Sequence, residues 1–165
     1  MISPELLRRY PFFAGLTPEH LVILANAAEE ISVEAGHTFF KEEEKLDCFY
    51  LLIKGSVDIG IPVPDREAKQ DVSGQLLGEL KTKDVTISTV GTGDVFAWSA
   101  LIPPYTATAS GKAITDCQVI AFDAGKLLKL FEEQPDFGYL MIVKAGQLIR
   151  NRLRDLRIES LAAYA

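Results

Sequence analysis

The sequence has few of the residues that most often form disulfides or bind metals, with two cysteines and two histidines among 165 residues. Cys48 and Cys117 are too few for a disulfide framework or a zinc cluster, and we expect reduced thiols in a cytoplasmic protein. His20 and His37 fall in different predicted elements with no third ligand nearby. The sequence therefore predicts neither a bound metal nor a cofactor.

The sequence also lacks an excess of positive charge. Seventeen basic and 23 acidic residues give a net charge of −6, and the pI is about 5.0. Proteins that bind nucleic-acid phosphates normally carry a basic surface, so no nucleic-acid partner is expected. Long apolar runs and the features of a signal peptide are missing as well, which predicts no membrane partner.

Common catalytic motifs are absent from the sequence. It contains no Gly-x-Ser-x-Gly elbow, no phosphate-binding loop and no dinucleotide fingerprint. The acidic run Glu42-Glu43-Glu44 lies between Lys41 and Lys45, which is typical of a solvated turn rather than of paired catalytic carboxylates. We expect that the protein is not an enzyme.

Helical patterns occupy both ends of the chain. Ser3-Pro4-Glu5 and Thr17-Pro18-Glu19 are start signals for a short helix to Arg9 and for a second helix over 17–29. Near the other end, residues 124–133 form one predicted helix, and a long helix runs from Asp136 almost to the last residue.

The middle of the chain alternates with a period of two and has turn residues about every ten positions. This pattern predicts eight or so short antiparallel strands in a closed sandwich or jelly-roll barrel. The expected strands cover 31–33, 37–41, 48–53, 57–61, 85–90, 106–114 and 118–122. Residues 62–84 form a polar excursion, which we interpret as an extended hairpin tip; a solvated loop is favoured over a partner-binding role.

These patterns predict a single domain over 1–165 that is mainly β with flanking helices. The fold class is a β-roll or jelly-roll barrel with an N-terminal helical segment and a long C-terminal helix. The expected divisions are N-terminal helices over 1–30, the β-roll over 31–123 and C-terminal helices over 124–165.

The long C-terminal helix carries a heptad-like row of apolar and small residues. A helix of nearly 30 residues, about 45 Å long, is longer than a barrel of this size can cover. We therefore favour a homodimer through this helix over packing on its own barrel. The expected interface residues are Ile142, Ile149, Leu153 and Leu156.

Four segments in order resemble the cyclic nucleotide-binding domain, the sensor module of catabolite-activator-type regulators, of the protein kinase A regulatory subunit and of gated channels. They are Phe12-Phe13-Ala14-Gly15-Leu16-Thr17, Ala35-Gly36-His37-Thr38-Phe39-Phe40, Tyr50-Leu51-Leu52-Ile53-Lys54-Gly55-Ser56-Val57 and Gly93-Asp94-Val95-Phe96. The resemblance implies a β-roll with a helical segment before it and two helices after it. It covers nearly the whole chain, from about Leu6 to the long helix.

The resemblance also implies a phosphate-binding cassette directly after the Gly93-Asp94 turn. Members of the family use a glycine, a glutamate for the ribose hydroxyl and an arginine for the cyclic phosphate. Aligned without gaps, Ala97 replaces the glycine, Trp98 the glutamate and Ala107 the arginine, with Lys112 the nearest basic residue downstream. Ordinary binding of cAMP or cGMP is therefore not expected. The segment Leu77-Gly78-Glu79-Leu80 is similar to part of the cassette but precedes the turn, and we interpret this similarity as coincidence.

The cassette positions remain the candidate ligand-binding residues. A pocket there could hold a planar or apolar molecule with a few hydroxyl contacts, whereas the opposing interpretation is that these side chains plug the roll. The candidates are Phe96, Ala97, Trp98, Ser99, Ala100, Tyr105, Thr106, Ala107 and Thr108.

We expect a stand-alone, non-catalytic sensor or adaptor of this type, with an unknown small-molecule ligand and without a DNA-binding domain. Two alternatives stay open. One is a structural or protein-interaction module with no ligand. The other is a relative of transcription regulators that binds an altered small ligand.

Overall fold

The structure, a computed structural model, describes residues 1–67, 72–77 and 81–164. The chain begins with helix α1 (Pro4–Arg8), a 3₁₀ turn (Pro11–Phe13) and helix α2 (Pro18–Asn26). Thr17 caps α2: its hydroxyl accepts a hydrogen bond from the His20 backbone N–H at 3.2 Å, and its own N–H donates to His20 Nδ1 at 3.4 Å. Ser3 stands at the N-cap position of α1 without a side-chain hydrogen bond to the helix.

In the described part of the chain, eight strands form two four-stranded antiparallel sheets, in the orders β1-β8-β3-β6 and β2-β7-β4-β5. The predicted β-rich middle with flanking helices is confirmed, but the two sheets do not close into the barrel that we expected. The strands are β1 (Ala28–Val33), β2 (Thr38–Phe40), β3 (Cys48–Lys54), β4 (Val57–Pro64), β5 (Thr82–Val90), β6 (Val95–Phe96), β7 (Ser110–Ala113) and β8 (Cys117–Asp123).

Several element boundaries differ from the prediction, among them the end of α2 and the start of β7. The helix expected over 17–29 ends at Asn26, because Ala27 leaves the helical conformation and β1 pairs with β8 from Ala28 onwards. The strand expected over 106–114 is reduced to β7. Before it, Ala107 exchanges backbone hydrogen bonds of 2.8 Å with Glu43 and Glu44, so this stretch is held by a loop instead of a sheet.

The core lies between the sheets and under the N-terminal segment. Four consecutive residues of β8, from Val119 to Phe122, are buried, which requires that both faces of this strand are covered. Phe122 stacks on Phe49 with ring centroids 4.6 Å apart and contacts Phe13 at 5.6 Å. The N-terminal segment therefore packs on one face of this sheet.

The excursion between β4 and β5 is a long hairpin, as predicted. Its two strands stay paired as far as Pro64 and Thr82, and the short helix α3 (Val72–Leu77) lies between them in sequence. Residues 78–80 of the cassette-like segment Leu77-Gly78-Glu79-Leu80 lie outside the described residues.

Both predicted C-terminal helices are confirmed as α4 (Ala124–Glu133) and α5 (Pro135–Ala162). The carboxylate of Asp123 caps α4 by accepting from the Lys126 N–H at 2.9 Å. Buried residues on α5 are confined to its first half, where Phe137, Gly138, Met141 and Ala145 face the body. Its second half has no buried residue. Within the described ranges, no helix combines the length and the apolar character that crossing a membrane requires.

Candidate ligand-binding cavity

The segment after the Gly93-Asp94 turn is anchored by main-chain and ring contacts. The Gly93 N–H donates to the Leu52 carbonyl at 2.7 Å, and the Leu52 N–H donates to the Asp94 carbonyl at 3.0 Å. In β6, the Phe96 ring stacks on Tyr50 with centroids 5.0 Å apart. These contacts place the following residues over the interior of the two sheets.

Ala97 turns the chain at the start of the cassette. Its backbone is in the left-handed region, with φ 60° and ψ 32°. An alanine in this conformation costs roughly 1–2 kcal/mol relative to the right-handed region, and a glycine avoids most of this strain. The backbone at Ala97 thus adopts a conformation suited to the glycine that the resemblance implies there. A 3₁₀ turn, Trp98–Leu101, follows, and the Ala100 N–H donates to the Ala97 carbonyl at 3.1 Å.

A cavity of about 380 Å³ lies between this segment, the sheet that contains β5 and the outer half of α5. Apolar side chains and small hydroxyl groups form most of its surface. The lining residues are Phe40, Leu46, Ile59, Ile87, Ser88, Thr89, Val90, Val95, Phe96, Ala97, Trp98, Ser99, Ala107, Thr108, Ala109, Arg152, Asp155, Leu156 and Glu159.

Six of the nine candidate residues line this cavity, and three do not. Phe96, Ala97, Trp98, Ser99, Ala107 and Thr108 belong to the lining. Ala100 is fully buried away from it, and Thr106 pairs instead with Lys45 in an isolated bridge. The carbonyl of Tyr105 accepts from the Leu46 N–H at 2.8 Å, which directs this part of the backbone to the loop before β3. The hydroxyl contacts expected from Tyr105 and Thr106 are therefore not part of the cavity.

Sequence reasoning missed the contributions of β5 and α5. Ser88 and Thr89 come from a strand whose place beside the cassette depends on sheet order. The four α5 residues, Arg152, Asp155, Leu156 and Glu159, follow the i, i+3, i+4, i+7 spacing of one helix face. The sequence shows that these four residues share one helix face. It does not show which part of the protein that face lies against.

The cassette contributes no charged side chain to the cavity. Ala107 is 4% exposed and Trp98 is half-buried; these are the residues that the resemblance aligns with the family's arginine and glutamate. Lys112, the nearest basic residue downstream, is exposed and does not belong to the lining. Among the lining residues, all of which are described, Arg152 of α5 is the one cation.

The described residues also show no arrangement suited to a metal ion. Across 1–67, 72–77 and 81–164, no group of three His, Cys, Asp or Glu side chains could hold one. The Glu42-Glu43-Glu44 run is exposed, and Glu44 Oε2 accepts from the Lys41 N–H at 3.0 Å.

Two antiparallel sheets, a turn-anchored segment over a cavity and a long following helix agree with the fold that the resemblance implies. The family model of the cyclic nucleotide-binding domain matches residues 30–134, and the chain belongs to this family. A crystal structure of a protein from Geobacter metallireducens GS-15, classed as cyclic nucleotide-binding, is 31% identical with a TM-score of 0.76. The match covers 93% of this chain and 99% of that protein.

Relatives in larger regulators share the same fold. The chain is 27% identical over 155 residues to the CRP-like cAMP-activated global transcriptional regulator of Mycobacterium tuberculosis. That match covers 92% of this chain and 62% of the regulator, so the chain spans less than two thirds of this relative. The catabolite activator protein of Thermus thermophilus is 21% identical with a TM-score of 0.64, over 92% of this chain and 63% of that protein.

Proposed function

We propose that this chain is a non-catalytic sensor module that binds a small molecule other than cAMP or cGMP in the cavity under Trp98. The observation that carries the proposal is the cavity itself, whose volume of about 380 Å³ suits a small ligand. Its wall combines apolar side chains with a few hydroxyl groups, which is the usual composition of a small-molecule site.

Cyclic nucleotides lack their usual partners at the cassette positions. A cyclic phosphate would face Ala107 rather than an arginine, and a ribose hydroxyl would face the Trp98 indole rather than a carboxylate. Loss of a charge-assisted phosphate contact weakens binding roughly tens- to hundreds-fold. The proposal therefore favours a ligand that uses the aromatic and hydroxyl surface of the cavity.

The proposal includes a homodimer formed through α5. Leu153 and Leu156 are 47% and 43% exposed, and Ile142 is 42% exposed, in a helix whose second half has no buried residue. Burial of this row against a second copy would remove apolar surface from water. Leu156 also lines the cavity, so ligand and partner helix would contact neighbouring parts of α5.

We propose a cytoplasmic location, which the free thiols of Cys48 and Cys117 support.

The test uses the fluorescence of Trp98, the sole tryptophan of the chain. The purified protein is titrated with cAMP, cGMP and a library of small metabolites, and changes in Trp98 emission are followed. We expect a saturable change with at least one metabolite and none with micromolar cAMP or cGMP. Ser88→Phe, which fills the cavity from β5, should abolish the change, whereas Val85→Phe at an exposed position outside the cavity should not.

Two results would contradict the proposal. Micromolar binding of cAMP or cGMP would show that the altered cassette still works in the usual way. A native protein that responds to no compound would favour the second candidate, a ligand-free interaction module. The exposed apolar row of α5 is the observation that favours this second candidate.

A further inference from the structure

Arg152 differs from the other charged residues around the cavity. It lies in the second half of α5 and is half-buried, while the other three lining residues of that helix are exposed. Among the described residues, no carboxylate lies within ion-pair distance of its guanidinium. The cavity therefore has one cation in its wall, and that cation forms no ion pair with a described carboxylate.

The two acidic residues of the same helix face do not cancel this charge. Asp155 Oδ1 lies 3.7 Å from Arg154 Nε, so this lining carboxylate forms its ion pair with a residue outside the cavity. Glu159 lies seven residues beyond Arg152, about 10 Å further along the helix axis and towards its free end. Both carboxylates are exposed to solvent, which screens their charge more strongly than that of the half-buried guanidinium.

Apart from Asp155 and Glu159, the wall offers no charge that competes with Arg152. Ser88, Thr89, Ser99 and Thr108 supply hydroxyl groups, and Phe96 and Trp98 supply aromatic surface. A guanidinium at the edge of an apolar cavity binds carboxylates, sulfonates and phosphates through charge-assisted hydrogen bonds. The charge pattern thus selects a ligand with an apolar body and one anionic group.

We propose that the ligand is an aromatic or apolar monoanion without a ribose, with its body in the cavity and its anionic group on Arg152. This inference rests on the proposed function and specifies the ligand class of the same cavity. The cation that recognises the anion comes from α5 and not from the cassette, so Arg152 is a specificity-determining residue. The ligand therefore bridges the sheets and the long helix.

The test compares two probes that share one ring system. 8-Anilinonaphthalene-1-sulfonate is an aromatic monoanion, and N-phenyl-1-naphthylamine is the same molecule without the sulfonate. Both accept excitation energy from tryptophan, so binding is followed through Trp98 emission, and loss of the signal in Ser88→Phe assigns it to the cavity. We expect the full chain to bind the sulfonate about tenfold more tightly than the neutral amine.

Variants of α5 separate the role of Arg152 from general effects of charge. Arg152→Gln should remove the tenfold preference and leave the affinity for the neutral probe unchanged. Arg150→Gln, an exposed position outside the cavity, removes the same charge and should leave both affinities unchanged. Added salt should weaken binding of the sulfonate by the native protein and not by Arg152→Gln.

The outcomes distinguish the two proposals. Equal affinity for the two probes, or an identical response of Arg152→Gln and Arg150→Gln, would overturn the anion assignment and leave a ligand-binding cavity in place. Failure of both probes to bind, while a metabolite still changes Trp98 emission, would overturn the anion assignment alone. No response of Trp98 to any compound would contradict the proposed function itself.

Discussion

The imidazole of His20 stacks on the ring of Phe137, with centroids 4.8 Å apart and planes inclined by 23°. His20 belongs to the first turn of α2, and Phe137 to the first turn of α5. A second contact joins the same regions, because Lys144 Nζ donates to the Ala14 carbonyl. The N-terminal segment and the base of the long helix are thus held together over more than a hundred residues of sequence.

We expect His20→Ala to destabilise the protein by about 1–2 kcal/mol, because it removes both the ring stack and the acceptor of the Thr17 N–H. The measurement is the free energy of unfolding in urea. His20→Gln restores an acceptor for the cap without the ring, so its loss should be smaller. Equal stability of the native protein and His20→Ala would contradict the packing of α2 against α5.

Ala97→Gly should raise the free energy of unfolding by about 0.5–1 kcal/mol. The substitution relieves the left-handed strain at φ 60°, and this gain exceeds the added entropy of the unfolded chain. Thermal unfolding gives the measurement. Ala100→Gly is the matched control in the same turn, at a buried position without positive φ, and it should destabilise. A loss of stability in Ala97→Gly as large as that in Ala100→Gly would argue against the left-handed turn.

The phenol of Tyr50 should ionise only at an unusually high pH. Burial raises the pKa of Tyr50 to about 12, with smaller contributions from Cys48 and Asp47. The unfolded chain releases the same proton near pH 10, its ordinary value. The folded state then holds more protons than the unfolded state between these values, so this group lowers stability as the pH rises from about 10 to about 12.

Tyr50→Phe keeps the ring that stacks on Phe96 and removes the titration. We expect the native protein to lose stability relative to Tyr50→Phe across this pH range. The difference in phenolate absorbance between the two proteins should have its midpoint near pH 12. A midpoint near pH 10 would show that Tyr50 is solvated.

Leu153→Glu should convert the proposed dimer to a monomer, because it places a charge in the apolar row of α5. Sedimentation equilibrium measures the mass. Asn151→Glu adds the same charge two residues away, off that row, and should leave the dimer intact. A monomeric native protein, or an unchanged mass in Leu153→Glu, would rule out an interface at this position.

Local patterns predicted most elements because the information for them is local. The two-residue alternation of Phe49 and Leu51, the turn at Gly93 and the start signal at Thr17 each specify structure within a few residues. Residues near Ala27 suit a helix or a strand, and pairing of Ala28 with Phe122 decides for the strand. The prediction placed this boundary too late because that partner lies far along the chain.

The sequence by itself determined the class of fold, and it predicts a cassette after Gly93-Asp94 that lacks the family's arginine. Tertiary structure decided that the sheets stay open and that Tyr105 and Thr106 lie outside the cavity. It also decided that Ser88 and Arg152 line the same cavity as the cassette. Sheet order and helix packing bring such distant residues together, and no periodicity along the chain encodes either. The −6 net charge gave no sign that the cavity has a cation in its wall, because a net charge carries no positions.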